Sequence, residues 1–416
     1  MISGRDIVLI SSVEWGFLWQ IPQEVSLRLA RAGNRVLYVE NTGVRSPSLQ
    51  DAGRVAQRLG RWADSLLSHG VRSVAPGVSV VSPLVLPPFG PRWRRLVNRA
   101  LLRQQVARAA RRLGMRDPVL WTFLPTDTAL DIIRLLATPR GVTLYHCTAD
   151  FSQLTPHARG LSRSEEEVLK LCDLVFANCT RLAELCGRWN DNVHVLPPGV
   201  DLGAFAAEEG GDEGEHARRP VIGYVGGLHK HVDFELLAAL ARARPEWSFV
   251  LVGPQQASVN GLGALPNVRL TGQRPHGELA RHVRAMDVCI VPYLNNAATE
   301  TVVPVKLNEY LAAGKPVVST AIPAVREFNE RHGVLITSDG RPDSFLEALE
   351  RALGSAGDER MIARRREVAA LSEWQSRLDA MSDLIEAAGS RKSAGRPASL
   401  TAATPGPAGA ASAGKV

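Results

Sequence analysis

Residues 287–320 read DVCIVPYLNNAATETVVPVKLNEYLAAGKPVVST. An apolar run ends at Val291-Pro292, a polar loop follows, and a helix-period segment carries Lys306 and Glu309 as far as Gly314. Lys315-Pro316 then turns the chain into a second apolar run at Val317-Val318. Short apolar strands separated by helices form a parallel sheet covered on both faces, which makes the chain α/β. The same unit recurs on either side. Strands are expected upstream at residues 7–10, 35–39, 78–81, 119–123, 142–146, 174–177 and 193–196, with helices at 21–32, 92–113, 126–136 and 162–171. In the second half, strands are expected at residues 221–225, 248–252, 268–270, 288–291, 316–319 and 334–336, with helices at 232–243, 276–284, 305–313 and 343–353.

The acidic, glycine-rich run at residues 208–215 interrupts this alternation, so residues 202–219 read as a linker. Two doubly wound domains follow, at residues 1–201 and 220–357, with a helical segment at 358–388. Residues 389–416 are mostly Ala, Gly, Pro and Ser, with too little apolar bulk to offset ordering entropy, and are expected to be disordered. Ligands of such sheets sit at the carboxyl ends of the strands. A cleft between two of them suits a reaction with two substrates.

The 416 residues are 45% hydrophobic and carry a net charge of +7, but the excess is local. Eight arginines and no acid fall within residues 91–115, and four basic residues and no acid within the last 29. Patches of this kind suit an anionic substrate or surface rather than nucleic acid. The five cysteines form no C-x-x-C pair, which argues against a disulfide framework and against structural zinc. The start shows no signal-peptide pattern, and the chain holds no 18-residue apolar run, so a reducing, cytoplasmic setting is expected.

Several chemistries lack their motifs. Ser11-Ser12-Val13-Glu14-Trp15-Gly16 follows the first strand and is not a dinucleotide fingerprint, so Glu40 has no pyrophosphate loop to work beside. Gly226-Gly227 lacks the remaining glycine spacing, and Walker A, D-x-D and H-E-x-x-H are missing. No metal and no cofactor is expected. Lys306 sits at a helix start near Pro304, where free amides and the dipole add to its charge, a fit for a diphosphate. Glu309 follows one turn later on nearly the same face. The spacing fits an intrahelical ion pair on a solvated face equally well.

KLNEYLAAGKPVVST resembles the carboxyl-terminal signature of the group 1, family 4-type glycosyltransferases. Ile222-Gly223-Tyr224-Val225-Gly226-Gly227-Leu228, Phe249-Val250-Leu251-Val252-Gly253-Pro254 and Asn267-Val268-Arg269-Leu270-Thr271-Gly272 resemble successive strands and loops of that family's second domain. In the first half, Asp173-Leu174-Val175-Phe176-Ala177-Asn178-Cys179 and Leu196-Pro197-Pro198-Gly199-Val200-Asp201 fit too, and Trp374 resembles the tryptophan of a terminal helix that returns to the first domain. The resemblance implies the GT-B fold, two Rossmann-like domains facing across a cleft. It also implies a nucleotide-diphosphate sugar as donor, and a branch resembling polysaccharide and teichuronic-acid-type transferases.

On that resemblance Glu309 binds the donor ribose. Gly226, Gly227 and Gly253 form the glycine loops, Gln273 and Arg274 stand at the base, and Thr301, Val303 and Pro304 line the donor before the helix. The family's first glutamate is replaced by Thr301, and its usual Arg and Lys are missing after the glycine loop. His229, Lys230, His231 and Lys306 are the candidate substitutes. Lys306 is expected to stabilise the leaving diphosphate. Asp150 is expected to act on the acceptor, while His146 fits a catalytic and a core histidine equally. Glu14, Trp15 and Gly16 are expected on the acceptor side, with Trp15 able to stack on a sugar; Trp19 fits the core as well as the cleft.

The expected activity is retaining, metal-independent glycosyl transfer to a glycan or polyprenyl-linked acceptor in bacterial surface-polysaccharide synthesis. A sugar-nucleotide epimerase on the same scaffold, or a nucleotide-sugar-binding protein without catalysis, are the alternatives. No nucleic-acid partner is expected. In the 92–113 helix, Trp93, Leu96, Val97, Ala100 and Leu101 are expected to cover the sheet. Its arginines stay outside and give peripheral contact with an anionic membrane at the inner face of the cell membrane.

Overall fold

The computed structural model describes residues 1–40, 70–83, 86, 92–153, 158–206 and 219–394. Two sheets carry the fold. Strands β1 (Asp6–Ile10), β2 (Arg35–Val39), β3 (Arg72–Ala75), β4 (Val78–Val81), β5 (Val119–Thr122), β6 (Thr143–Cys147), β7 (Leu174–Ala177) and β8 (Val193–Val195) form the first, in the order β3-β4-β2-β1-β5-β6-β7-β8. Strands β9 (Val221–Val225), β10 (Ser248–Val252), β11 (Val268–Gly272), β12 (Val288–Val291), β13 (Val317–Thr320) and β14 (Ile336–Ser338) form the second, in the order β11-β10-β9-β12-β13-β14. Every pairing is parallel except β3 with β4.

Strands β1, β5, β6, β7, β9 and β12 are buried along their whole length, which is why they read as continuous apolar runs. Strand order reverses beside β1 in the first sheet and beside β9 in the second. The loops after these strands therefore part and leave a mouth at each sheet's carboxyl edge. The two mouths approach each other. Asp150 N donates to Thr301 Oγ1 at 3.4 Å, and Thr180 Oγ1 donates to Glu327 Oε1 at 3.0 Å.

Four sequence expectations need correction or refinement. The helical segment expected over 358–388 is two helices, Glu359–Ala370 and Trp374–Ser393. The break forms because the chain bonds to the crossover instead: Val200 N donates to Ser372 O at 2.8 Å, and Trp374 N donates to Val200 O at 3.1 Å. Val368 and Ala369 lie in the second core, whereas Trp374, Leu378, Met381 and Ile385 lie in the first. The Trp374 ring rests on Gly199, where a Cβ would stand only 2.5 Å away.

The start of the expected linker is a short helix, Leu202–Phe205, capped by Asp201 Oδ1 accepting from Ala204 N at 3.2 Å. Phe205 belongs to the second core. Its acidic run lies outside the described residues. The terminal segment stays helical through Ser393, because Lys392 Nζ bonds Asp173 Oδ2 and Gly141 O, each at 2.8 Å. Residues 395–416 lie outside the described residues.

The fourth correction concerns the arginine-rich helix, Arg92–Arg112. Trp93 is 56% exposed and Leu96 66%, and Val97 is exposed as well. Asn98, Leu102, Val106, Ala109 and Ala110 are the buried face. Asn98 fixes the rotation by exchanging two hydrogen bonds with the Leu86 backbone, at 2.7 and 2.9 Å. Arg99 and Arg95 reach the buried Asp131 from the same helix. All five cysteines are free and buried, as small core side chains. Among the described residues no helix is long and apolar enough to cross a membrane.

The return crossing makes a stability prediction. Trp374→Ala should lower the unfolding free energy by about 3–5 kcal/mol, the cost of truncating a buried aromatic. The check is the urea midpoint at unchanged slope. A midpoint at the wild-type value would show that the ring does not hold the two sheets in one folded unit.

Candidate functional site

The floor of the second mouth is two crossing loops. Gly226 follows β9 and Gly253 follows β10, both at φ +144°, where side-chain-bearing residues are strained. Gly226 N donates to Val252 O at 2.8 Å, and Gly253 N donates to Gly272 O at 2.9 Å. A Cβ on Gly253 would lie 2.1 Å from the Gly226 carbonyl oxygen, and one on Gly226 only 2.4 Å from Lys306 Nζ. Glycine at both positions lets backbone and ammonium meet in one small volume.

Lys306 opens a seven-residue helix, Lys306–Ala312, and is 9% exposed. Its Nζ lies 3.7 Å from the Tyr224 ring centroid and 5.3 Å from that of Tyr293. Two aromatic faces hold the charge that water would otherwise hold. Tyr310 locks the helix onto β9, accepting from Val225 N at 2.7 Å. The intrahelical ion pair left open by the spacing does not form: the ammonium turns to Tyr224, and it acts on Glu309 only through space. The helix is short and Leu307 N already bonds Pro304 O at 3.1 Å, so the side-chain charge outweighs the dipole expected at this end.

Burial raises the Glu309 carboxyl to about 7, with the Lys306 charge lowering it and the Glu24 charge, from across the cleft, raising it. His229 lies beside Tyr293, at 5.5 Å between ring centroids. Burial first, then the charges of Lys306 and His231, push it down to about 3. It is therefore a neutral imidazole rather than a replacement cation. His229 Nδ1 accepts from His231 N at 3.3 Å, which leaves Nε2 as the donor. Lys230 is exposed, as are Gln273 and Arg274 beyond the end of β11.

Thr301, Val303 and His146 take up contacts at the seam or in the core. Thr301 is buried at the seam, where its hydroxyl accepts from Asp150 N and its carbonyl from the Cys179 thiol, at 3.8 Å. Val303 packs against the first core. Both make contacts between the two halves. Pro304 is buried beneath the helix start. His146 is 1% exposed and packs against Phe123, Trp121 and Phe176, with Nε2 on Asn178 Oδ1 at 3.1 Å. Burial pushes its pKa down to about 4, so it is a neutral core histidine and its catalytic assignment is withdrawn.

On the first mouth, Glu14, Trp15 and Gly16 form a loop tied down from below. Glu40, which the sequence left without a role, accepts from Trp15 N at 3.0 Å, Arg72 at 2.8 Å and Ser82 at 2.5 Å. The Trp15 ring meets Tyr38 and Trp19 edge-on, at 5.1 and 5.8 Å. Sequence reasoning missed the partner of Trp19, which stacks on His276 of the second half at 5.7 Å and 24°. No periodicity reports a contact between two loops so far apart in the chain.

The raised Glu309 carboxyl makes a stability prediction. Its unfolded value is 4.5 and its folded value about 7, so between them the folded protein keeps a proton that the unfolded chain has released. Stability therefore falls as pH rises through that window. Glu309→Gln should be more stable than wild type near pH 8 by on the order of 1–3 kcal/mol. The gap should close near pH 4.5. Denaturation across pH checks this, and a variant less stable at pH 8 would make Glu309 a structural residue.

Residues 219–355 match the family model described as Glycosyl transferases group 1. A putative teichuronic acid biosynthesis glycosyltransferase, TuaH of Bacillus subtilis, is 31% identical over 191 residues, covering 44% of this chain and 48% of that protein. A GDP-mannose-dependent alpha-mannosyltransferase of Mycolicibacterium smegmatis is 32% identical over 157 residues, covering 36% of this chain and 40% of that protein. The matches thus span half or less of these relatives' length. Among solved structures, sucrose-phosphate synthase of Thermosynechococcus elongatus superposes with a TM-score of 0.68 at 18% identity, over 92% of this chain and 98% of that one. HepE of Anabaena, solved in complex with UDP, superposes with a TM-score of 0.63 at 15% identity, over 92% of this chain and 100% of that one. Residues 219–355 are thus similar to the glycosyl transferases group 1, and the chain as a whole is built on the GT-B fold of these solved structures.

Proposed function

We propose that this protein transfers a glycosyl group from a nucleotide-diphosphate sugar to a hydroxyl of a glycan or lipid-linked acceptor. One observation carries the reading. A desolvated ammonium, Lys306, lies against the glycine loop at the mouth of the second sheet, with a desolvated carboxylate, Glu309, one turn away. Desolvated opposite charges that do not neutralise each other in contact are costly to keep, and they suit a ligand that brings both phosphates and hydroxyls. The relatives named as glycosyltransferases and the UDP complex of HepE support the same reading.

Glu309 accepts from the ribose hydroxyls, and the diphosphate lies over Gly226 and Gly227 toward Lys306. His229 Nε2 and the exposed Lys230 flank it. As the anomeric carbon–oxygen bond breaks, negative charge grows on the departing phosphate, and Lys306 stabilises it more then than before. The acceptor oxygen bonds to the anomeric carbon, and its proton passes to the departing phosphate. Retention follows from attack on the face the phosphate leaves. Asp150, held at the seam beside Thr301, is the first-half carboxylate that orients the acceptor. This chemistry needs neither a protein nucleophile nor a metal.

The acceptor is proposed to be met at a membrane. Trp93, Leu96 and Val97 stand exposed on an arginine-rich helix, with the Arg94 guanidinium 5.7 Å from the Trp93 ring. Anionic lipid attracts basic residues by about 1 kcal/mol each near the surface, and the exposed apolar side chains add burial. Binding to anionic vesicles should fall with salt and weaken in a Trp93→Ala, Leu96→Ala variant. Co-sedimentation checks both, and a variant that binds as well as wild type would remove the helix from the contact.

Transfer is tested by incubating the protein with a panel of nucleotide-diphosphate sugars, with and without glycan and polyprenyl-linked acceptors, in EDTA. Acceptor-dependent release of nucleoside diphosphate and a new glycoside are expected. Tight donor binding without transfer would favour a binding protein, and an acceptor-free change of sugar configuration an epimerase. In the active pair, Lys306→Met should lower kcat by about 10²–10³, the size seen when a transition-state charge partner is lost. The donor KM should rise far less. A change in KM alone would make Lys306 a ground-state binder.

A further inference from the structure

The loop after β1 reaches across the cleft. Trp19 stacks on His276, which follows the loop carrying Gln273 and Arg274. The stack is propped from the first core. Buried Tyr38 bonds Ser11 Oγ and Val13 O, meets Trp15 edge-on, and Trp15 meets Trp19 edge-on. Trp19 Nε1 also donates to Glu24 Oε2 at 2.7 Å. Glu24 pairs with Arg28, and Arg28 bonds Asp201 Oδ2 at 3.0 Å, at the cap of the crossover helix. The Glu24 charge reaches both His276 and Glu309. One first-half unit, Trp19 with Glu24, thus stands over the end of the mouth where Glu309 waits.

We propose that Trp19 and Glu24 are donor-positioning residues, and that with His276 they form a latch closing the nucleoside end of the cleft over the ribose held by Glu309. The inference rests on the donor reading above. Stacking couples the two halves without covalent strain, and a half-buried indole on an exposed imidazole can part and close as the nucleotide enters and leaves. The Nε1–Glu24 bond sets the tilt of the indole. The Glu24 charge opposes that of Glu309 across the cleft, and ribose hydroxyls placed between them give both carboxylates donors to accept from.

The test is calorimetric binding of UDP, GDP and inorganic pyrophosphate to wild type, Trp19→Ala, Trp19→Phe, His276→Ala and the Trp19→Ala, His276→Ala double variant. An aromatic pair is worth up to about tenfold in affinity. Each alanine variant should therefore weaken nucleoside diphosphate binding by about threefold to tenfold, and the double variant should be no weaker than the poorer single. Trp19→Phe keeps a stacking ring and should recover most of the loss. Pyrophosphate, which has no nucleoside, should bind all five proteins alike. Nucleoside diphosphate affinities unchanged in the variants would overturn the latch while leaving the donor reading intact. So would additive losses, or an equal loss for pyrophosphate. Wild type that binds neither UDP nor GDP would overturn both.

Discussion

The cleft depends on how closely two loops pass. The Gly253 backbone crosses so near the Gly226 carbonyl that no side chain fits between them, and Gly226 leaves room for the Lys306 ammonium in the same way. A Cβ at Gly253 would force β9 and β10 apart at their carboxyl ends, and one at Gly226 would push the Lys306 ammonium from its place. Much else follows from this contact. Tyr224 and Tyr293 line the space it leaves, Tyr310 pins the helix that supplies Lys306, and Glu309 is set one turn behind.

The arrangement keeps charges where folding alone would not put them. Lys306 is nearly buried against aromatic faces, and Glu309 is desolvated enough to hold its proton near neutrality. A fold selected for stability alone would exchange both for apolar residues, since buried charges are costly even when paired. The neutral histidines follow the same logic. His229 beside Lys306 stays uncharged because burial and a neighbouring ammonium disfavour a second cation, so it offers a hydrogen bond without adding repulsion.

Much of this was legible in the residues. Continuous apolar strands, interrupted by helices and turns, gave two parallel sheets, and the 287–320 stretch placed Lys306 and Glu309 on one short helix. The helix spacing could not show whether Lys306 pairs with Glu309, because the ammonium is drawn away by Tyr224 and Tyr293 from other elements. The contacts of Thr301, Val303 and His146 were hidden for a related reason: a loop or strand-end residue turns toward the cleft, the seam or the core according to what packs on it. The 92–112 helix carries two apolar stripes, and only the Asn98 bonds to Leu86 decide which one faces inward. β3 was missed because Arg72–Ala75 is a short, half-exposed edge strand with no apolar run. The helix break at Leu371 has neither glycine nor proline to announce it and comes from pairing with Val200.

The central claim is that Glu309 receives the ribose of a nucleoside diphosphate, and the most direct measurement is that affinity against pH in wild type and in Glu309→Gln. Burial raises the carboxyl to about 7, and only its carboxylate accepts from both hydroxyls. Wild-type affinity should therefore gain relative to the variant as pH rises through 7, by up to about tenfold per pH unit below that midpoint, and level off above it. A wild-type to variant ratio that stays constant across this range would contradict the assignment of Glu309, and with it the account of the site.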